Sequence, residues 1–111
     1  MMRTRGFGLL LASLAIAASG LAANAQEQER APAQIFADRC VYCHDTGGWG
    51  TRVLAQRAPA GEAELLRRTN LRAPFTREVV RRGIGAMPQF TPTELTDDEL
   101  ERLARWLDEK N

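Results

Sequence analysis

Three residues in the middle of the chain have the types and spacing that bind haem covalently. They are Cys40, Cys43 and His44 in the sequence Cys-Val-Tyr-Cys-His, and C-x-x-C-H is the attachment pattern for c-type haem. Two thiols about one helical turn apart reach both vinyl groups of one porphyrin, and the adjacent imidazole becomes an axial ligand of the iron. The motif therefore predicts a single covalent haem c, attached to Cys40 and Cys43, with His44 on the iron.

The second axial ligand is inferred by elimination. His44 is the only histidine, and the motif contains both cysteines. Within residues 26–111, which are expected to form the mature chain, Met87 is therefore the soft ligand left, apart from a weak case for Lys110. Met87 lies in the sequence Gly-Ile-Gly-Ala-Met-Pro, where the following proline favours extended backbone. The alternative is that Met87 merely fills a gap in the core. Ligation by histidine and methionine raises the potential and leaves no open iron position, which favours electron transfer over catalysis.

The cysteine pair has three other interpretations. A redox-active disulfide of the thioredoxin type belongs near a strand–helix–strand pattern, which this sequence lacks. A zinc site needs four ligands, and no cysteine or histidine lies outside Cys40, Cys43 and His44. A structural disulfide in an exported protein is the third interpretation.

The first 25 residues have the pattern of a secretory signal peptide. Arg3 and Arg5 precede an apolar run over residues 6–21, and Ala-Asn-Ala ends at Ala25 with small residues where a signal peptidase cleaves. We therefore expect residues 1–25 to be removed and the mature protein to be periplasmic. The alternative, an uncleaved anchor, is weaker because a spanning helix needs about 20 apolar residues.

Residues 26–111 are expected to form one haem domain. A domain of this size usually needs a disulfide, a metal or a bound group to remain folded. Cleavage after residue 25 removes two arginines and no acidic residue, so the formal net charge changes from +1 to −1. This charge argues against nucleic-acid binding, which needs a clustered positive surface. No stable membrane insertion is expected after cleavage.

The last predicted helix has the clearest signals in an all-α domain. Thr96 and Glu99 form a capping box at its start. The apolar stripe that follows has helical spacing and consists of Leu100, Leu103, Ala104 and Leu107.

Shorter helices are predicted earlier in the mature chain. They are expected over Ala33 to about Val41, over Glu62 to about Arg68, and from an N-cap at Thr76 to Arg82, with Gly83 in the left-handed stop position. The glycine-containing segment 45–60 is expected to be a loop. Four leucine and valine side chains of these segments are expected to face inward: Val53, Leu54, Leu65 and Leu66.

Together these features resemble the small single-haem class I cytochrome c family, from about Ala33 to Lys110. The resemblance implies the all-α class I cytochrome c fold, whose first and last helices cross, with Phe36 packed near Trp106 and Leu103. It also implies the roles of the site residues, with thioether bonds at Cys40 and Cys43, the proximal ligand at His44 and the distal ligand at Met87.

The sequence departs from this family after the haem motif. A Gly-Pro pair usually follows there, and its carbonyl orients the proximal histidine, whereas this chain has Gly50 and Thr51. The sequence therefore does not identify the carbonyl that accepts a hydrogen bond from the ring N–H of His44. Arg52 and Arg57 are candidates for pairing with the haem propionates, although solvated arginines are the favoured explanation; Trp49 either lines the haem edge or lies at an exposed loop tip.

The segment from Glu78 to Phe90 is also similar to the cytochrome subunit of p-cresol methylhydroxylase-like flavocytochromes. This similarity implies a redox partner such as a periplasmic flavin dehydrogenase, from which electrons pass to the respiratory chain. The chain would then be an electron-transfer protein and not itself an enzyme. The alternatives are a haem peroxidase, a haem sensor whose Met87 dissociates, and a thiol–disulfide oxidoreductase.

Overall fold

A computed structural model describes residues 29–110, so the signal peptide expected over residues 1–25 lies outside the described part. The described part is helical, and its five α-helices are α1 (Pro32–Arg39), α2 (Val41–His44), α3 (Trp49–Leu54), α4 (Ala73–Arg82) and α5 (Asp97–Glu109). In these residues the only β-type pairing is an isolated bridge between Ile84 and Met87, which confirms the all-α prediction. Between residues 29 and 110 no helix has the length and apolarity to cross a membrane.

The crossing of α1 and α5 forms the centre of the core. Thr96 and Glu99 make the predicted capping box at the start of α5. The carboxylate of Glu99 accepts a 3.0 Å hydrogen bond from the N–H of Thr96, and the hydroxyl of Thr96 accepts a 3.3 Å bond from the N–H of Glu99. The predicted stripe of α5 is buried throughout, and Ile35 and Phe36 of α1 pack against it. The rings of Phe36 and Trp106 lie 5.8 Å apart, so the expected contact between the first and last helices is confirmed.

The expected loop over residues 45–60 contains α3, and in this respect the prediction was wrong. The hydroxyl of Thr51 donates a 2.8 Å hydrogen bond to the carbonyl of Asp45. This bond ties the first turn of α3 to the end of α2 and offsets the low helical propensity of the neighbouring glycines. The helix brings Val53 and Leu54 to half-buried positions.

The predicted helix over Glu62 to Arg68 is reduced to one 3-10 turn, Leu65–Arg67. The carboxylate of Glu62 accepts hydrogen bonds from the backbone N–H and hydroxyl of Thr69, at 3.1 and 3.0 Å. These contacts close the segment as a loop. Leu66 is 43% exposed, so its expected inward orientation was wrong, whereas Leu65 is half-buried and packs on the core.

The start of α4 also differs from the prediction. The helix begins at Ala73, and Pro74 occupies the first turn, where a missing N–H breaks no helical hydrogen bond. The carboxylate of Asp108 in α5 accepts a 2.9 Å bond from the N–H of Ala73. A side chain from a distant helix thus performs the capping that was assigned to Thr76, and Thr76 lies buried inside α4.

Candidate haem site

Two adjoining cavities lie between α3, α4, α5 and the loop that follows α4. Their volumes are about 430 and 200 Å³. The walls are mostly apolar, and both cavities are bordered by Cys40, His44, Met87, Val80 and Leu103 among others. Because they share these walls, we treat them as one slot, with a larger and a smaller end. A flat apolar molecule could occupy both ends at once.

The junction of α1 and α2 places both thiols at the slot. The chain turns at Cys40, whose carbonyl accepts hydrogen bonds from the N–H groups of Cys43 and His44 at 3.2 and 2.9 Å. The two cysteines are therefore one helical turn apart, as the motif predicts. Both are free thiols; Cys40 is half-buried and Cys43 is exposed.

The environment of Cys40 differs from that of a reactive thiol. Burial raises the pKa of Cys40 to about 11, so this thiol is neutral at neutral pH. Nucleophilic cysteines of thiol–disulfide oxidoreductases have a lowered pKa. This difference argues against the thiol–disulfide oxidoreductase alternative.

The imidazole of His44 packs against the start of α3. Burial lowers its pKa, which favours the neutral ring that binds metals. Its Nδ1 is buried and has no hydrogen-bond partner among residues 29–110. No carbonyl in this part of the chain therefore accepts a hydrogen bond from the ring of His44. A Cβ at Gly50 would lie 3.2 Å from Nδ1 and 2.9 Å from the carbonyl oxygen of Cys43. Close contact with Gly50 leaves Nε2 as the nitrogen that could bind iron.

Substitution Gly50→Ala is expected to destabilise the haem-loaded protein by about 1–3 kcal/mol, because the added methyl group overpacks the contact between the ring and α3. It should also shift the optical spectrum, since His44 must move. Denaturant unfolding and optical absorption would measure both effects. Gly47→Ala is the control: its Cβ meets nothing within 4 Å, and only the cost of a left-handed φ, roughly 1–2 kcal/mol, is expected. An unchanged spectrum in Gly50→Ala would contradict the prediction.

The loop after α4 presents Met87 to the slot. Gly83 ends α4 with φ of +71°, and a Cβ there would lie 2.6 Å from the carbonyl oxygen of Met87, so glycine is required on both grounds. Ile84 and Met87 exchange backbone hydrogen bonds of 3.1 and 2.9 Å. The loop thus folds back on the end of α4, and Met87 is half-buried.

All four predicted site residues border the smaller end of the slot: Cys40, Cys43, His44 and Met87. Lys110, the weaker candidate for the second axial position, is placed elsewhere. Its ammonium lies 4.7 Å from the centre of the Trp106 ring, and Lys110 borders neither end of the slot.

The structure separates the three candidates for contact with haem substituents. Trp49 and Arg57 border the larger end of the slot, and Arg52 does not. Arg68 also borders this end, although the sequence offered no signal that distinguished it from other exposed arginines. Arg57 and Arg68 take no part in the ion pairs found among residues 29–110.

Thr76 is a second residue that sequence reasoning did not assign to the site. It is 8% exposed, it borders the larger end, and its hydroxyl has no hydrogen-bond partner among the described residues. An unpaired buried hydroxyl costs roughly 1–3 kcal/mol, so a bound group with polar substituents would satisfy it.

The residues present fit a covalently bound haem. The slot combines apolar walls, two thiols, an imidazole and a thioether with an unpaired hydroxyl at its larger end. A zinc ion fits less well, because residues 29–110 contain no group of three or more His, Cys, Asp or Glu side chains that could hold a metal.

Comparison with known proteins gives one family. The family model described as cytochrome C oxidase, cbb3-type, subunit III, matches residues 27–107, well over half of the 111-residue chain. No curated protein and no solved structure matches the chain significantly.

Proposed function

Because the chain belongs to the cytochrome family described as cytochrome C oxidase, cbb3-type, subunit III, and is accordingly an electron-transfer protein with covalently bound haem c, we propose that it is a periplasmic one-electron carrier with a single haem. The observation that carries this proposal is the common position of Cys40, Cys43, His44 and Met87 at one end of an apolar slot.

Each of these residues has a distinct role in the proposal. Cys40 and Cys43 would hold the haem by thioether bonds, and His44 and Met87 would be the ligands of its iron. Haem c supplies an iron centre that takes up and releases one electron. Because the chain would provide both of these ligands, oxygen and peroxide would find no open position on the iron, and the mostly apolar walls would limit the access of water.

We further propose that Arg57 and Arg68 pair with the haem propionates. The propionates lie on the edge of a porphyrin opposite its vinyl groups. Cys43 borders only the smaller end of the slot, and both arginines border only the larger end, so the charged edge would face them. Arginine holds carboxylates in bidentate pairs, and neither guanidinium has an ion-pair partner among residues 29–110.

The proposed donor is a dehydrogenase, and a periplasmic flavoprotein is the version that the segment Glu78 to Phe90 supports. Electrons would pass from this donor through the haem to the respiratory chain. The signal-peptide pattern of residues 1–25 supports the periplasmic location. Co-purification with a flavoprotein would support the specific donor, and equal reactivity of a free monomer with many donors would count against it.

The test of the proposed function is to express the full chain in a host that matures c-type cytochromes and to analyse the exported protein. We expect an intact mass that exceeds the polypeptide by one haem and a reduced spectrum that carbon monoxide does not change. A bare polypeptide would contradict the proposal. Tight binding of carbon monoxide would instead favour the sensor or peroxidase alternative, in which Met87 leaves the iron.

A further inference from the structure

Arg81, in the last turn of α4, makes three hydrogen bonds outside its own helix. Its guanidinium donates to the carbonyl oxygens of Phe90 and Leu95, at 2.9 Å each, and to the carboxylate of Asp97 at 2.6 Å. The side chain is only 23% exposed. One side chain therefore ties α4 to the end of the Met87 loop and to the start of α5.

The bond to Phe90 matters because Phe90 closes the Met87 loop. Its N–H donates a 2.8 Å bond to the carbonyl of Val80, and its carbonyl accepts from Arg81. Phe90 lies three residues after Met87, and both of its backbone polar groups are thus hydrogen-bonded to the last turn of α4. At the other end of the loop, Gly83 donates to the carbonyl of Val79 at 2.8 Å. The loop is therefore clamped at both ends to a single helical turn.

We infer that Arg81 is a positioning residue that keeps Met87 in the slot and so opposes its displacement from the iron by other ligands. The inference rests on the proposed function, because it requires Met87 to bind haem iron. Arginine suits the role since its planar guanidinium has five donors in fixed directions, whereas the compact ammonium of lysine does not match three spread acceptors.

The neighbouring Arg82 provides a matched control. It has the same charge and adjoins Arg81, but its side chain is 77% exposed, and its one ion pair among residues 29–110 is with Glu78 in its own helix, at 2.7 Å. Removing Arg82 changes the local charge equally and leaves the contacts of the loop in place. Arg77→Gln is a second control, because it removes another tie between α4 and α5, the 2.8 Å pair of Arg77 with Glu101, without touching the Met87 loop.

The experiment measures imidazole binding to the oxidised haem-loaded protein, together with the methionine-to-iron charge-transfer absorption. Arg81→Gln should raise the affinity for imidazole about tenfold or more, because charge-assisted hydrogen bonds that hold the loop are lost. Arg81→Lys should change it in the same direction, and Arg82→Gln should stay within about twofold of the native protein, as expected for an exposed pair. Arg77→Gln should also leave it unchanged.

Two results would overturn the role of Arg81. One is an imidazole affinity of Arg81→Gln within about twofold of the native value; the other is an equal rise in Arg77→Gln, which would show that weaker packing of α4 on α5 alone explains the effect. Should Arg81→Gln not fold, Arg81→Lys weakens the same clamp, because the compact ammonium does not match three spread acceptors. It should raise the affinity by a smaller factor, and no rise would count against the role. Absence of the charge-transfer band in the native protein would instead contradict ligation by Met87.

Discussion

A chain in which Cys40 and Cys43 are both replaced by alanine is expected to carry no covalent haem and to be largely unfolded. The slot that these residues border has a larger end of about 430 Å³ with mostly apolar walls. Without haem, these apolar walls are left unfilled, and a domain of this size usually needs a bound group to remain folded. The whole free energy of unfolding of a typical domain is about 5–15 kcal/mol, so a haem-free chain has little or no stability left.

Intact mass and far-ultraviolet circular dichroism of the exported variant would test this expectation. Tyr42→Ala is the matched control, because Tyr42 lies between the two cysteines and is 92% exposed. It should retain both haem and helical structure. A double cysteine variant that is free of haem and still folds with native helix content would show that the porphyrin is not needed to complete the core.

Met87→Ala is expected to leave the haem attached, open the sixth position of the iron and lower the midpoint potential. Methionine ligation raises the potential of haem iron, and axial ligands tune it over about 0.8 V in all. We therefore expect a decrease on the order of 0.1 V or more. The reduced variant should also bind carbon monoxide, since alanine offers no ligand to compete for the iron.

Potentiometry and optical titration with carbon monoxide would measure these effects. Gln89→Ala is the control from the same loop, because Gln89 is exposed and does not border the slot. It should keep the native potential. An unchanged spectrum and potential in Met87→Ala would identify some other group as the second axial ligand.

Some features of this protein could be predicted because they depend on residues that are close in sequence. The C-x-x-C-H motif fits within one helical turn, so its chemistry does not depend on distant parts of the chain. The family match over residues 27–107 agrees with the covalent haem predicted from it. The capping box and apolar stripe of α5 are likewise local, and the structure confirms both.

The predictions failed where contacts between distant segments decide the structure. The carboxylate of Asp108 in α5 caps α4, and no signal within α4 itself could reveal this. The helix α3 forms in spite of its glycines because Thr51 bonds back to the end of α2. In both cases a tertiary contact outweighs local propensity, which is worth only about 1 kcal/mol per residue.

The sequence by itself determined the chemistry available to this protein: two thiols, one imidazole and one methionine within residues 26–111. Only the tertiary structure decided which of many similar side chains support that chemistry. Arg68 borders the slot, Arg81 clamps the Met87 loop and Arg82 points to solvent, yet all three are arginines in or near helices. Their roles differ because burial and the positions of distant carbonyls and carboxylates differ, and those positions are set by how the helices pack.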